Sequence, residues 1–364
     1  MQPNKIKVLV VDDSQVTRML LVHVLGYDPD IQVIGAANHG QATLDFLNAG
    51  GIRPDVVLMD INMPCLDGFE VIRRIMETQP LPIVICTATA DPQELTVAFR
   101  SVEAGVLACV ERPVGLGDAD FEPRVRNLIQ TIRLMSEIKV VRRWPRPRLI
   151  PAPAPTGDVS KSSAASAGIR LIGIGASTGG PLVLQTILAG LPNHFPAPLL
   201  IVQHIAPGFL PGMVEWLNQT AGLQVQIAAH GVNPLPGHAY IAPDDFHLGV
   251  GVGGHMILTR AAPESGLRPA VSYLFRSLAE TCGANAVGVL LTGMGKDGAL
   301  ELKRMRERGA CTIAQDRNSS IVHGMPGEAI ELGAAVHVLS ADKIAGALIA
   351  QFACRSAVAG EIKS

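Results

Sequence analysis

The chain holds 364 residues, 48% of them hydrophobic and 17% charged, with 30 basic against 32 acidic side chains. That length exceeds one ordinary core and suits two domains, and the apolar fraction excludes a disordered chain. A net charge of −2 gives no global attraction to nucleic acid or to an acidic membrane surface, so no nucleic-acid partner is expected. No run reaches the roughly 20 apolar residues of a membrane span. The opening MQPNKIKVLVVDDS has too short an apolar run, and acids too soon after it, for a secretion signal. Six cysteines (Cys65, Cys86, Cys109, Cys282, Cys311 and Cys354) form no C-x-x-C pair and sit in or beside apolar runs, which reads as free thiols in a reducing cytoplasm.

From residue 5 to about 135, short β-branched runs alternate with helix-period segments. IKVLVV, IQVIGAA, PDVVLMD, LPIVICTA and GVLACV are the strand candidates, and QVTRMLLVHVL and GFEVIRRIM carry apolar residues near a 3.6 period. This alternation predicts a doubly wound α/β domain over 1–135 with five parallel strands. VVDDS sets Asp12 and Asp13 at the end of the first strand, VLMDINMPCLDG sets Asp60 at the end of the third, and Thr87 and Arg112 end the fourth and fifth. Three carboxylates on one sheet edge repel one another unless a hard cation sits among them, and their oxygens suit Mg²⁺.

Between 136 and 168 the periodicity fails, and RRWPRPRLIPAPAPTGDVSKSSAASAG reads as a linker rich in Pro, Ala and Ser. Its basic start, Arg142, Arg143, Arg146 and Arg148 around Trp144, is read as a solvated tether, with a nucleic-acid or acidic-partner contact as the alternative.

Over 169–358 strand and helix signals return, giving a second doubly wound α/β domain whose section 223–260 is expected to insert an antiparallel hairpin. Three segments share one grammar of strand, polar or glycine-rich break and helix. RLIGIG leads to Ser177, APLLIVQ to His204, and AVGVLLTGMGK to Asp297. Strand ends of an open parallel sheet line one crevice. The three side chains therefore meet the requirement for a nucleophile, a base and an acid that orients the base. G-A-S-T-G matches the nucleophile-elbow pattern, and the Met294 N–H in TGMGKDG is the candidate oxyanion donor.

Other readings compete. Ser177 could merely cap a helix. Gly173, Gly175 and Gly179 resemble a loose dinucleotide-binding turn, although Gln203 and His204 stand where such a fold places an acid. His323, in SSIVHGMPGEAI, is a second candidate base, and Lys296 beside Asp297 is read as solvated.

GASTGGP, the QH of LIVQHI, LTGMGKDGA and the later AQD…GMP together resemble the chemotaxis protein-glutamate methylesterases, over both halves and in the same order. The resemblance implies a serine hydrolase that removes γ-methyl esters from glutamates of membrane chemoreceptors, releasing methanol, and that also deamidates receptor glutamines. It makes Ser177 the nucleophile, His204 the base, Asp297 its orienting acid and the Met294 amide an oxyanion donor, with Thr178 nearby. No cofactor is implied for ester hydrolysis, and the membrane is met only through receptors.

The first half resembles the receiver domain of response regulators, which implies a flavodoxin-like sheet and phosphorylation of Asp60 by a chemotaxis histidine kinase. Asp12 and Asp13 would hold Mg²⁺ beside Asp60, and Thr87 would follow the phosphoryl oxygen. Two positions depart from that family: Arg112 replaces the lysine before the proline, and Cys109 replaces the aromatic switch residue. The competing functions are a non-enzymatic signalling module and a paralogue serving receptors of another pathway.

Overall fold

The computed structural model describes residues 5–61, 63, 68–87, 108–113, 115, 121–138 and 171–361, the side chains at 69, 87 and 353–361 excepted. In the first half β1 (Ile6–Val11), β2 (Ile31–Ala37), β3 (Val56–Met59), β4 (Ile83–Thr87) and β5 (Ala108–Glu111) form one parallel sheet of order β2-β1-β3-β4-β5. β3 is buried along its whole length, as a strand covered on both faces must be. Helix α1 (Gln15–Leu25) starts because the Ser14 side chain accepts the Thr17 N–H at 3.3 Å, and it buries Leu21, Val24 and Leu25.

Helices α2 (Gly40–Asn48), α3 (Gly68–Thr78) and α4 (Phe121–Ser136) complete the described part of the layer. In α4, Phe121, Val125, Leu128, Ile132 and Met135 recur every three or four residues and bury one face. Its Arg133 grips the buried Asp28 through two bonds of 2.7 Å, tying the helix to the turn before β2. The segment 88–107 and the linker residues 139–168, Arg142 and Trp144 included, lie outside the described residues.

The second half is built on seven strands: β6 (Leu171–Ala176), β7 (Leu199–Gln203), β8 (Gln224–Ile227), β9 (His238–Ile241), β12 (Ala286–Leu290), β13 (Cys311–Gln315) and β14 (His337–Leu339). Their order is β14-β13-β12-β6-β7-β9-β8, and every pairing is parallel. Within 223–260, where an antiparallel hairpin is expected, β8 and β9 extend this sheet, while β10 (His247–Val250) and β11 (Met256–Thr259) form that hairpin separately. The helices are α5 (Gly180–Ala189), α6 (Leu210–Thr220), α7 (Val271–Thr281), α8 (Ala299–Glu307), α9 (Met325–Glu331) and α10 (Ala341–Glu361).

Helix α7 explains two of the glycines in β6. A Cβ on Gly173 would lie 2.4 Å from Leu278 Cδ1, and one on Gly175 would lie 2.3 Å from Val271 Cγ1. The bare backbone lets α7 lie directly on the sheet. Among the described residues no helix is long and apolar enough to cross a membrane. The described cysteines Cys86, Cys109, Cys282 and Cys311 are free thiols.

Candidate active site

β6, β7 and β12 are adjacent in the sheet, so the turns that leave their carboxyl ends share one edge. Ser177 directly follows β6, and its N–H donates to Thr292 O at 3.0 Å in the loop after β12. His204 directly follows β7, and its N–H donates to Ala176 O at 2.9 Å. Thus the serine backbone is pinned between the loops that carry His204 and Asp297. Gly179, at φ 78°, turns the chain into α5.

His204 Nε2 lies 2.9 Å from Asp297 Oδ2, with the histidine side chain 12% and the aspartate 5% exposed. The ring N–H does not point squarely along that line, a misalignment common in sites that tighten only around substrate. Nδ1 is the ring nitrogen turned away from the acid. Asp297 also accepts the first two N–H groups of α7, from Val271 to Oδ2 at 2.7 Å and from Ser272 to Oδ1 at 2.9 Å. Ser272 Oγ in turn accepts the Gly298 N–H at 3.0 Å. Burial works against the charge on Asp297, but the His204 ring and the Ser272 groups outweigh it and hold the carboxyl below its ordinary range.

Two buried amides brace this arrangement. Gln203 Nε2 donates to Ser177 O and to His204 O, both at 2.8 Å, so one side chain holds the residues that follow β6 and β7. A Cβ on Gly180 would come 2.1 Å from Gln203 Oε1, which accounts for the second glycine of the GG pair. Gln315 Oε1 accepts the Thr292 N–H at 2.8 Å. The Thr292 hydroxyl lies 2.9 Å from Thr178 O and also accepts the Val322 N–H at 2.9 Å. The sequence gives no local sign of the Ser272, Gln203 and Thr292 bonds, because all but the one from Gln203 to its neighbour His204 join residues 23 or more positions apart.

Met294 is half-buried beside these groups, and its amide has no hydrogen-bond partner among the described residues. His323 bridges to Gly293 but turns its Nδ1 to Ser320 Oγ at 3.2 Å, and Asp297 is not among its partners. Lys296 is exposed and pairs with Glu328 at 3.0 Å.

At the receiver-like edge, oxygens of Asp12, Asp13 and Asp60 all lie within 4.8 Å of one another, a donor set that fits a hard divalent cation. Arg112 Nη2 stands 2.7 Å from Asp60 Oδ2 and 2.9 Å from Asp12 Oδ2. Burial pushes Asp12 up to about 6, with Arg112 pulling down and Asp60 pushing up. Thr87 is the last residue of β4, and Cys109 is half-buried in β5.

These two edges define a receiver-type α/β domain joined to a second α/β domain with a serine, histidine and aspartate at its strand ends. The family model described as CheB methylesterase matches residues 172–348, and that of the response regulator receiver domain matches 8–119. A "Protein-glutamate methylesterase/protein-glutamine glutaminase 4" of Geobacter metallireducens is 52% identical over 344 residues, covering 94% of this chain and 98% of its own length. A protein of the same printed name from Myxococcus xanthus is 40% identical over 352 residues, covering 97% and 98%. The solved Thermotoga maritima CheB methylesterase catalytic domain aligns at 39% identity and a TM-score of 0.50, over 51% of this chain and all of that one. The chain belongs to the CheB methylesterase family and carries a response-regulator receiver.

Proposed function

We propose that this protein is a phosphorylation-regulated protein-glutamate methylesterase and protein-glutamine glutaminase, with Ser177, His204 and Asp297 as its catalytic residues. The observation that carries this reading is the meeting of the three strand ends, with His204 Nε2 2.9 Å from a buried, charged Asp297. With Nε2 turned to the acid, Nδ1 takes the Ser177 proton as Oγ attacks the γ-carbonyl of a methylated glutamate. The oxyanion that forms is met by the Met294 N–H. The proton passes from His204 to the departing oxygen, methanol leaves, and an acyl-serine stays. Water then gives a proton to His204 as it attacks the acyl carbon, the acyl–Oγ bond breaks, His204 returns the proton to Ser177 Oγ, and the glutamate carboxylate leaves. With a glutamine substrate the same steps release ammonia.

In the receiver, Asp60 is the phosphoryl acceptor and a chemotaxis histidine kinase the donor, with Thr87 and Arg112 beside it. Asp12, Asp13 and Asp60 would hold Mg²⁺, which would supply neutralisation of the phosphoryl charge. The resting receiver restrains the esterase edge. Val322, held through its backbone by Thr292, packs against the apolar cluster of the receiver, which supports that coupling. The receiver spans 1–135, the linker 136–168 and the esterase 169–358. The substrates are methyl-accepting chemoreceptors, met from the cytoplasm.

Methanol release from a methylated chemoreceptor fragment tests the reading. The full chain is expected to release methanol, more so after exposure to a small phosphoryl donor, and Ser177→Ala to release none. Equal unphosphorylated rates with and without residues 1–140 would remove the regulatory part and leave the esterase.

A further inference from the structure

The acidic pocket of the receiver holds a cation of its own. A single nitrogen of Arg112, Nη2, contacts Asp60 Oδ2 at 2.7 Å and Asp12 Oδ2 at 2.9 Å, and Nη1 reaches Thr17 Oγ1 at 3.5 Å. The other Asp12 oxygen, Oδ1, accepts the Ser14 N–H at 2.9 Å. Oδ2 is buried with no hydrogen-bond donor aligned on it, which leaves it the freer Asp12 oxygen for a metal, and it is the one the guanidinium faces as an ion pair. All three side chains are enclosed, at 16% exposure for Arg112, 1% for Asp12 and 7% for Asp60, so water screens the contacts poorly.

We infer that Arg112 is an internal counter-ion of this pocket, competing with the divalent cation for the same oxygens of Asp12 and Asp60. A divalent ion bound to both oxygens requires the guanidinium to give up at least one of its contacts. Two cations a few ångströms apart in a poorly screened pocket also repel strongly. A guanidinium is planar, weakly hydrated and suited to bridging carboxylates. An ammonium is a strongly hydrated point charge on a flexible stem, and it yields the bridging position more readily. The receiver thus holds Asp12 and Asp60 together without metal and binds metal weakly. The inference rests on the reading of Asp12, Asp13 and Asp60 as the metal site and is independent of the esterase chemistry.

The test uses the full-length, unphosphorylated chain, with free Mn²⁺ followed by electron paramagnetic resonance and Mg²⁺ binding by calorimetry. Arg112→Lys keeps the charge and removes the bridge, and it is expected to bind either ion at least about tenfold more tightly than the natural chain. Arg112→Met removes the charge as well and sets the upper limit of affinity. Adding Asp13→Asn to Arg112→Lys is expected to abolish the gain, which assigns the ion to this pocket. Equal or weaker binding by Arg112→Lys, or a gain that survives Asp13→Asn, overturns the inference. Should Arg112→Met fail to fold, the lysine variant alone decides.

Discussion

The two halves solve the same problem differently. Both gather acids at the carboxyl ends of parallel strands, yet the acid of the esterase edge is fully partnered and that of the receiver edge is not. Asp297 takes two helix N–H groups and the His204 ring, and these hold its carboxyl below the ordinary range despite burial. Asp12, equally enclosed, sits beside Asp60 and rises to about 6, with Arg112 as the cation facing it. The fold itself holds the esterase acid, whereas Asp12 Oδ2 at the receiver edge has no hydrogen-bond donor aligned on it. Fixed dipoles around the first hold its acid charged, while burial of the second raises its acid.

The contrast can be broken most severely at Asp297. Asp297→Asn brings an amide NH₂ against the N–H donors of Val271 and Ser272 and deprives His204 of its acid. A fall in kcat of roughly 10³–10⁴-fold is expected from steady-state methanol release, with the wrong histidine tautomer as the main cause. Gln203→Leu removes the two bonds that tie Ser177 O to His204 O. It is expected to lower kcat about 10- to 100-fold while KM stays within about twofold, the signature of lost alignment rather than lost binding.

On the receiver side the effects are smaller and concern stability. The Asp12 carboxyl stands at about 6 in the folded chain against an ordinary 3.8, so the fold binds that proton more tightly than the unfolded chain does. The stability this contributes is complete below about 3.8 and is lost as pH rises through about 6. In metal-free buffer the receiver's melting temperature in Asp12→Asn is therefore expected to gain on the natural chain as pH rises from 4 to 7. Scanning calorimetry at several pH values reads the difference directly. Smallest is Arg133→Met, which removes a fork onto Asp28 from a half-exposed arginine. It is expected to lower the denaturant midpoint of receiver unfolding only slightly, because solvent screens the exposed arginine.

Much of this architecture is legible in the residues. QVTRMLLVHVL folds as α1 over its whole length, because its apolar spacing and the Ser14 cap agree. The strand runs of the first half all form strands of one sheet, since β-branched residues bounded by polar turns leave little alternative. Ser177, His204 and Asp297 each stand just past a strand, which is why one crevice could be expected for all three. Gly173 and Gly175 misled in one respect: their pattern resembles a phosphate turn, yet their missing side chains make room for Leu278 and Val271 of α7. That packing is long-range and leaves no local trace. The same limit hid β8 and β9, which lie in the section 223–260 expected to hold a hairpin but pair in parallel at the sheet edge. It hid the carboxylate cap of α7 as well, because the acid comes from 26 residues further along the chain. Arg112 was visible as an unusual residue, but its bridge between two strand ends needed the distances.

The most direct test of the central claim is to react the full-length protein with a fluorophosphonate and locate the adduct by peptide mass spectrometry, with Asp297→Asn alongside. One adduct on Ser177, formed far more slowly in Asp297→Asn, is the result expected of an aligned nucleophile. Methanol release by a chain in which Ser177 stays unlabelled, or equal labelling rates in the two proteins, would contradict it.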